Sequence, residues 1–136
     1  MANSVDLKIA IDKVAIELSN LPAILSKNGR RKAHWTAQMK ATRALREKAY
    51  FTIMVTYQGW ELPKFEKAHI HVKERWSNNP HDFDGLASLV APAIDAFTDL
   101  EIIPDDSPRY VLSFTMTHEK VAKRADNGVE ITVSRA

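Results

Sequence analysis

The strongest constraint on the fold is a change of hydrophobic period in the second half of the chain. Residues 86–97 repeat apolar side chains at spacings of three and four, which is typical of one helical face. Residues 67–76 and 110–116 alternate apolar and polar side chains, as a strand with one buried face does. We therefore expect a strand, a helix and a strand in succession. The apolar positions are Ala68, Ile70 and Val72, then Leu86, Leu89, Val90, Ala93, Ile94 and Phe97, then Tyr110, Leu112, Phe114 and Met116.

The first half of the chain shows the same two patterns in the same order. Residues 5–18 alternate, and a one-residue slip of phase predicts a bulge or bend near Asp12 and Lys13. From about His34 to Val55 a helical stripe follows, and it includes Trp35. The spacing favours Trp35 as a core residue, while a stacking role outside the core is the other interpretation.

The complete order of elements predicts the fold class. Val129, Ile131 and Val133 indicate a last strand, which gives the order β-α-β-α-β-β. This order predicts an α/β (α+β) fold in which helices pack on one small mixed sheet. A length of 136 residues predicts one domain, residues 1–136.

Composition excludes several classes of site. The chain has no cysteine, so it has no disulfide, iron–sulfur cluster or cysteine-bound zinc. No apolar run approaches the roughly 20 residues of a membrane span, and the first residues do not resemble a signal peptide. We therefore expect a cytoplasmic protein without a membrane partner. A net charge of +2 does not by itself indicate nucleic-acid binding.

Two acidic pairs adjoin the predicted second helix. Asp82 and Asp84 precede it, and Asp105 and Asp106 follow it between two prolines. One interpretation is structural, because an aspartate caps a helix and a proline-flanked pair suits a solvated turn. The other is a carboxylate site for Mg²⁺ or Mn²⁺, since these ions prefer oxygen ligands and assist phosphodiester cleavage.

These motifs resemble those of the RusA-type Holliday junction resolvases, small endodeoxyribonucleases common in phages. The resemblance covers about residues 14 to 118. It rests on Asp82-x-Asp84-x-Leu86, on Ile94-Asp95-Ala96-Phe97, and on Ile103-Pro104-Asp105-Asp106-Ser107-Pro108. Upstream, the family's basic loop and first helix are similar to Asn28-Gly29-Arg30-Arg31-Lys32-Ala33-His34-Trp35 and the residues that follow it.

The resemblance implies a mixed α/β homodimer that cuts branched double-stranded DNA in recombination and repair with Mg²⁺ (or Mn²⁺). Matched residue by residue, it assigns metal binding and catalysis to Asp82, Asp84 and Asp106. Asp105 matches the first member of the second pair and is expected to support the site. Asp95 could cap a helix, pair with a basic residue or orient a metal ligand, and we favour the last of these roles.

Two positions depart from the family pattern. Gly85 stands where the family has an asparagine, and the family's helix lysine falls on Ala91, or on Ser88 in a shorter register. Loss of a charge that acts in the transition state would cost about 10²–10³ in rate. Lys73 or Arg75, on the polar face of the preceding strand, is a candidate to supply the charge instead.

Basic residues around the first helix suggest contacts with phosphate. A solvated surface is the alternative, but an acidic centre of the nuclease type favours a role in DNA binding. His81, next to Asp82, is a candidate for the edge of the metal site. The residues expected to contact DNA are Arg30, Arg31, Lys32, Lys40, Arg43, Lys73 and Arg75.

These observations leave three functional hypotheses. The first is a Mg²⁺-dependent endonuclease that acts on branched DNA through metal-activated water. The second is a DNA-binding protein of the same fold with weak or absent catalysis, because the family lysine is missing. The third is a dimeric interaction module with no affinity for nucleic acid.

Overall fold

Four strands and two long helices follow one another in the order that the sequence predicts. The computed structural model describes residues 11–26, 29 and 34–136. Short 3-10 turns lie at Ala23–Leu25 and Arg124–Asp126. The main elements are β1 (Lys13–Leu18), α1 (Trp35–Thr56), β2 (Ala68–Trp76), α2 (Phe83–Asp99), β3 (Val111–Lys120) and β4 (Gly128–Arg135).

The strands form one mixed sheet, as predicted. Their spatial order is β1-β4-β2-β3, with β4 antiparallel to both of its neighbours and β2 parallel to β3. A parallel pair requires a crossover connection, and α2 provides it. The carboxyl end of β2 and the amino end of β3 therefore lie at opposite ends of the sheet, and α2 spans the distance between them.

The core lies between the helices and one face of the sheet. Alternate residues of β1, β2 and β4 point into it, and α2 buries its whole predicted stripe together with Pro92. The opposite face of β2 carries the polar side chains from His69 to Arg75. The mixed α+β class and the helical stripe of α2 are thus confirmed.

The prediction that Trp35 lies in the core is wrong. Its side chain is 64% exposed, and Met39 one turn later is exposed as well. The same face buries Leu45, Ala49 and Ile53 farther along α1. Burial on this face therefore begins at Leu45, and no side chain in the first turns of α1 is buried among the described residues.

Two strands differ from the sequence prediction in detail. β1 begins at Lys13, and residues 5–10 of the predicted strand lie outside the described residues. β3 is an edge strand, and its Leu112 and Phe114 are exposed although the alternation predicts them inside. The register of β2 against β3 shifts between Ala68 and His69, which places Leu112 outside the pairing.

No helix among the described residues has the length and apolar content that crossing a membrane requires.

Candidate nucleic-acid interface and acidic groups

Asp82 and Asp84 lie at the amino end of α2. Asp82 caps the helix, since its Oδ1 accepts a hydrogen bond from the backbone N–H of Gly85 at 2.7 Å. Asp84 lies in the first turn, and both aspartates are exposed. A Cβ at position 85 would lie 2.8 Å from Asp82 Oδ1. Gly85, at the position where the RusA-type pattern has an asparagine, therefore leaves room for the capping side chain.

Asp105 and Asp106 lie beyond the other end of α2. Both are exposed, and the N–H of Asp106 donates to Oδ1 of Asp105 at 2.8 Å. Burial raises the pKa of Asp95 in the last turns of α2; Arg46 opposes this rise, and the charges of Asp106 and Asp99 add to it. Asp106 is therefore close to Asp95, at the carboxyl end of the helix.

The expected convergence of Asp82, Asp84 and Asp106 is not found. Asp82 and Asp95 are 13 residues apart in sequence, so they are separated by about 20 Å along the helix axis. Within residues 11–26, 29 and 34–136, no three histidine, aspartate or glutamate side chains form a group that could hold a metal ion. As placed in one chain, the three aspartates do not fit a shared Mg²⁺ or Mn²⁺ ion. Their assignment as catalytic residues stays a prediction.

Lys73 and Arg75 do not take the place of the lysine that the RusA-type motif has on this helix. Lys73 lies 3.0 Å from Glu119, and Arg75 lies 3.4 Å from Glu17. Glu74 lies on the face of β2 that is directed toward α2. Lys73 and Arg75 lie on the opposite face of the strand. The expectation that Lys73 or Arg75 reaches the acidic motif of α2 is therefore wrong. Because acidic partners already hold them, they are also weak candidates for phosphate contacts.

The two family positions for this lysine are occupied differently. Ala91 is exposed on α2, so a longer side chain there would reach solvent. The hydroxyl of Ser88 donates to the carbonyl of Leu25 at 2.8 Å and joins α2 to the 3-10 turn. Ser88 is therefore a packing contact, and Ala91 is the position where a lysine can be introduced without loss of a contact.

A buried carboxylate beside Asp82 was not recognised in the sequence. Glu74 is only 5% exposed, and it accepts hydrogen bonds from the N–H of His81 at 2.9 Å and from His81 Nδ1 at 2.6 Å. His118 Nε2 donates to the carbonyl of His81 at 2.9 Å and lies 3.4 Å from Glu74 Oε1. The signal was present, because Glu74 is a charged residue at an inward position of the β2 alternation.

This carboxylate controls the ionisation of His81. The hydrogen bond from Glu74 raises the pKa of His81, burial lowers it, and the charges of Glu74 and then Asp82 raise it further. The sequence prediction placed His81 beside the acidic motif, and the structure gives it a definite partner in Glu74. This group is therefore a histidine held by two hydrogen bonds against a buried carboxylate.

The basic residues of α1 are distant in sequence from this acidic group, and they have few acidic partners. Lys40 and Arg43 are exposed, and within the described part of the chain neither forms an ion pair. Arg30, Arg31 and Lys32 lie outside the described residues. We call Trp35, Met39, Lys40 and Arg43 the α1 basic surface. Three of these residues, Trp35, Met39 and Arg43, line a groove of about 430 Å³ together with Arg46.

Arg46 is the one arginine of this helix that carboxylates hold. Its Nε donates to Asp99 Oδ2 at 2.6 Å, and its Nη1 lies 3.9 Å from Asp95. The guanidinium of Arg46 holds the pKa of Asp99 below its ordinary value. This pair joins α1 to the carboxyl end of α2, so Arg46 contributes to helix packing more than to a free positive surface.

Comparison with known proteins finds no protein-family model that matches the chain and no curated protein that matches its sequence. The resemblance to the RusA-type resolvases therefore rests on the motifs of this sequence alone.

Proposed function

We propose that this protein binds branched DNA, as the resemblance to the RusA-type resolvases implies. The observation that carries the proposal is the segregation of charge around α1. Residues 30–46 hold six basic and no acidic side chains, although the whole chain has a net charge of only +2. Phosphates are the partner of such a surface, because each contact with lysine or arginine releases bound counterions. A cytoplasmic location accompanies this proposal.

Binding without cleavage agrees best with the geometry of a single chain. Asp82 is engaged as a helix cap, and Asp106 lies at the other end of α2. Neither Ser88 nor Ala91 supplies a positive charge, and Lys73 and Arg75 face away from the acidic motif. These four observations support the second of the three hypotheses.

Metal-dependent cleavage is the second candidate, and it requires two copies of the chain. In a two-fold pair with antiparallel α2 helices, Asp106 of one copy would approach Asp82 and Asp84 of the other. Exposed Phe83, Leu112 and Phe114 beside the open edge of β3 support such a homodimer, because apolar patches at sheet edges favour association.

The binding proposal is tested with a four-way junction and a linear duplex of the same base composition, in EDTA so that cleavage cannot occur. We expect the wild type to prefer the junction and the double variant Lys40→Gln/Arg43→Gln to bind it more weakly, with a salt dependence reduced by roughly two phosphate contacts. The control Lys67→Gln/Lys123→Gln removes the same charge from exposed positions elsewhere. Equal losses in both double variants would contradict an interface on α1.

The cleavage candidate is tested with the same junction in Mg²⁺ and in Mn²⁺. We expect Asp82→Asn and Asp106→Asn each to abolish any cutting. Mixed dimers that combine one Asp82→Asn chain with one Asp106→Asn chain distinguish two arrangements. If each site is shared between the two copies, one complete set of aspartates remains. If each chain forms a site by itself, no complete set remains. Recovery of nicking in the mixed dimers supports a shared site. No cutting by the wild type in either metal leaves binding as the function.

A further inference from the structure

Trp35 is an aromatic side chain that the fold leaves in solvent. It begins α1 and is 64% exposed, although a tryptophan normally contributes 150–250 Å² of buried area to a core or an interface. His34 lies beside it, with ring centroids 6.2 Å apart and planes tilted by 30°. The Nδ1 atom of His34 accepts a hydrogen bond from the N–H of Thr36, so the helix cap fixes the position of this second ring.

Two cations, Lys40 and Arg43, follow Trp35 along the same helix, and neither has an acidic partner within the described residues. Arg43 is exposed and lines the same groove as Trp35 and Met39, whereas Lys40 is exposed on an adjoining side of the helix. A flat aromatic ring next to cations is the combination with which proteins hold single-stranded nucleic acid, since the ring stacks on a base and the cations contact the backbone.

The charge of the α1 basic surface favours single-stranded nucleic acid over a second copy of the chain as its binding partner. A symmetric contact through the α1 basic surface would place the same lysine and arginine opposite themselves, and like charges at an interface are unfavourable. A polyanion that also presents aromatic faces removes this repulsion. In a paired duplex the faces of the bases are hidden by stacking, so only unpaired bases can lie against Trp35.

We propose that the α1 basic surface binds unpaired nucleotides, with one base stacked on Trp35 and the adjacent phosphates on Lys40 and Arg43. This rests on the proposed DNA binding and makes it more specific, because branch points and single-stranded segments are where bases are unpaired. The ligand class is single-stranded or locally opened DNA, and its recognition does not depend on base identity.

The test measures the affinity for labelled oligothymidylate of about 15 nucleotides, for a duplex of the same length, and for a four-way junction. Loss of one stacked base is worth about 1–3 kcal/mol, so Trp35→Ala should weaken oligothymidylate binding by roughly 5- to 150-fold. Binding to the duplex should stay within about twofold. Trp35→Phe should retain most of the affinity, because a phenyl ring still stacks.

The matched control is Trp60→Ala, which removes a tryptophan that is 42% exposed outside the α1 basic surface and should change none of the three affinities. In a Trp60→Phe/Trp76→Phe background, Trp35 is the remaining tryptophan, and its fluorescence should be quenched by oligothymidylate. Equal effects of Trp35→Ala on single strand and duplex, or no effect on either, would overturn the stacking proposal while junction binding stands. If the wild type binds none of the three DNAs, both proposals fail.

Discussion

The first turns of α1 and of α2 are both capped by a side chain, but their surroundings differ in charge and in burial. His34 caps α1, and the turns that follow carry free cations and exposed apolar side chains. Asp82 caps α2, and beside it Glu74, His81 and His118 form a connected polar group over a fully buried helical stripe. The comparison shows that the same apolar spacing leads to burial only where another element covers it.

The largest expected effect concerns this contrast in burial. Phe97, in the buried stripe of α2, has no exposed surface, so Phe97→Ala should lower the free energy of unfolding by about 3–5 kcal/mol through lost contacts and a cavity. Trp35→Ala should change it by less than about 0.5 kcal/mol. Urea unfolding of both variants measures the difference. A Trp35→Ala loss comparable to that of Phe97→Ala would mean that the first turns of α1 are covered in solution.

The next effect concerns the polar group at the start of α2. Glu74→Ala removes the acceptor of two His81 hydrogen bonds, and partly buried donors left without a partner should lower the free energy of unfolding by about 1–3 kcal/mol. Glu74→Gln keeps one acceptor oxygen and should be less destabilising. Thermal unfolding compares the two variants, and equal stability of Glu74→Ala and wild type would contradict this account of the group.

Asp82 offers a smaller effect that separates its two candidate roles. Asp82→Ala removes the cap and should destabilise the protein by about 1 kcal/mol, whereas Asp82→Ser restores a capping oxygen and most of the stability. If Asp82 also acts in cleavage, Asp82→Ser should be stable and unable to cut. A serine variant that is stable and cuts normally would restrict Asp82 to the helix cap.

The smallest effect concerns the ion pair that joins the two helices. Arg46 holds the pKa of Asp99 below its ordinary value of 3.8, so the pair contributes stability that is fully present above pH 3.8 and is lost as the pH falls through the lowered pKa. Since both side chains are partly exposed, Asp99→Asn should cost less than about 1 kcal/mol at neutral pH. Unfolding curves at neutral and strongly acidic pH check this, and a difference between variant and wild type that persists in strong acid would exclude the ion pair as its cause.

Period and spacing predicted most of the fold, because they depend on residues close in sequence. The order of six elements, the apolar stripe of α2 and the inward residues of β4 all follow from the local period of apolar side chains. The exposure of Trp35 does not, since it depends on which turns of α1 other elements cover in three dimensions. Exposed Leu112 and Phe114 depend likewise on β3 lying at the edge of the sheet.

The separation of the acidic residues was implicit in the order of elements. A residue just before a crossover helix and one just after it lie at opposite ends of that helix, so Asp82 and Asp106 cannot meet in one chain unless a loop folds back. The motif spacing alone gave no indication of this distance. Glu74 is the opposite case. Its inward position in the alternation of β2 can be recognised in the sequence, whereas its contacts with two histidines are visible only in the three-dimensional structure.

The carboxyl end of α2 has a further consequence for how the chain assembles. Asp95 and Asp99 lie in its final turns without a basic residue of its own, where the helix dipole disfavours negative charge. The compensating guanidinium comes from α1, more than 50 residues earlier in the sequence. A peptide that contains α2 alone should therefore be poorly helical in water, and the last turn of α2 should become ordered only after α1 has docked beside it.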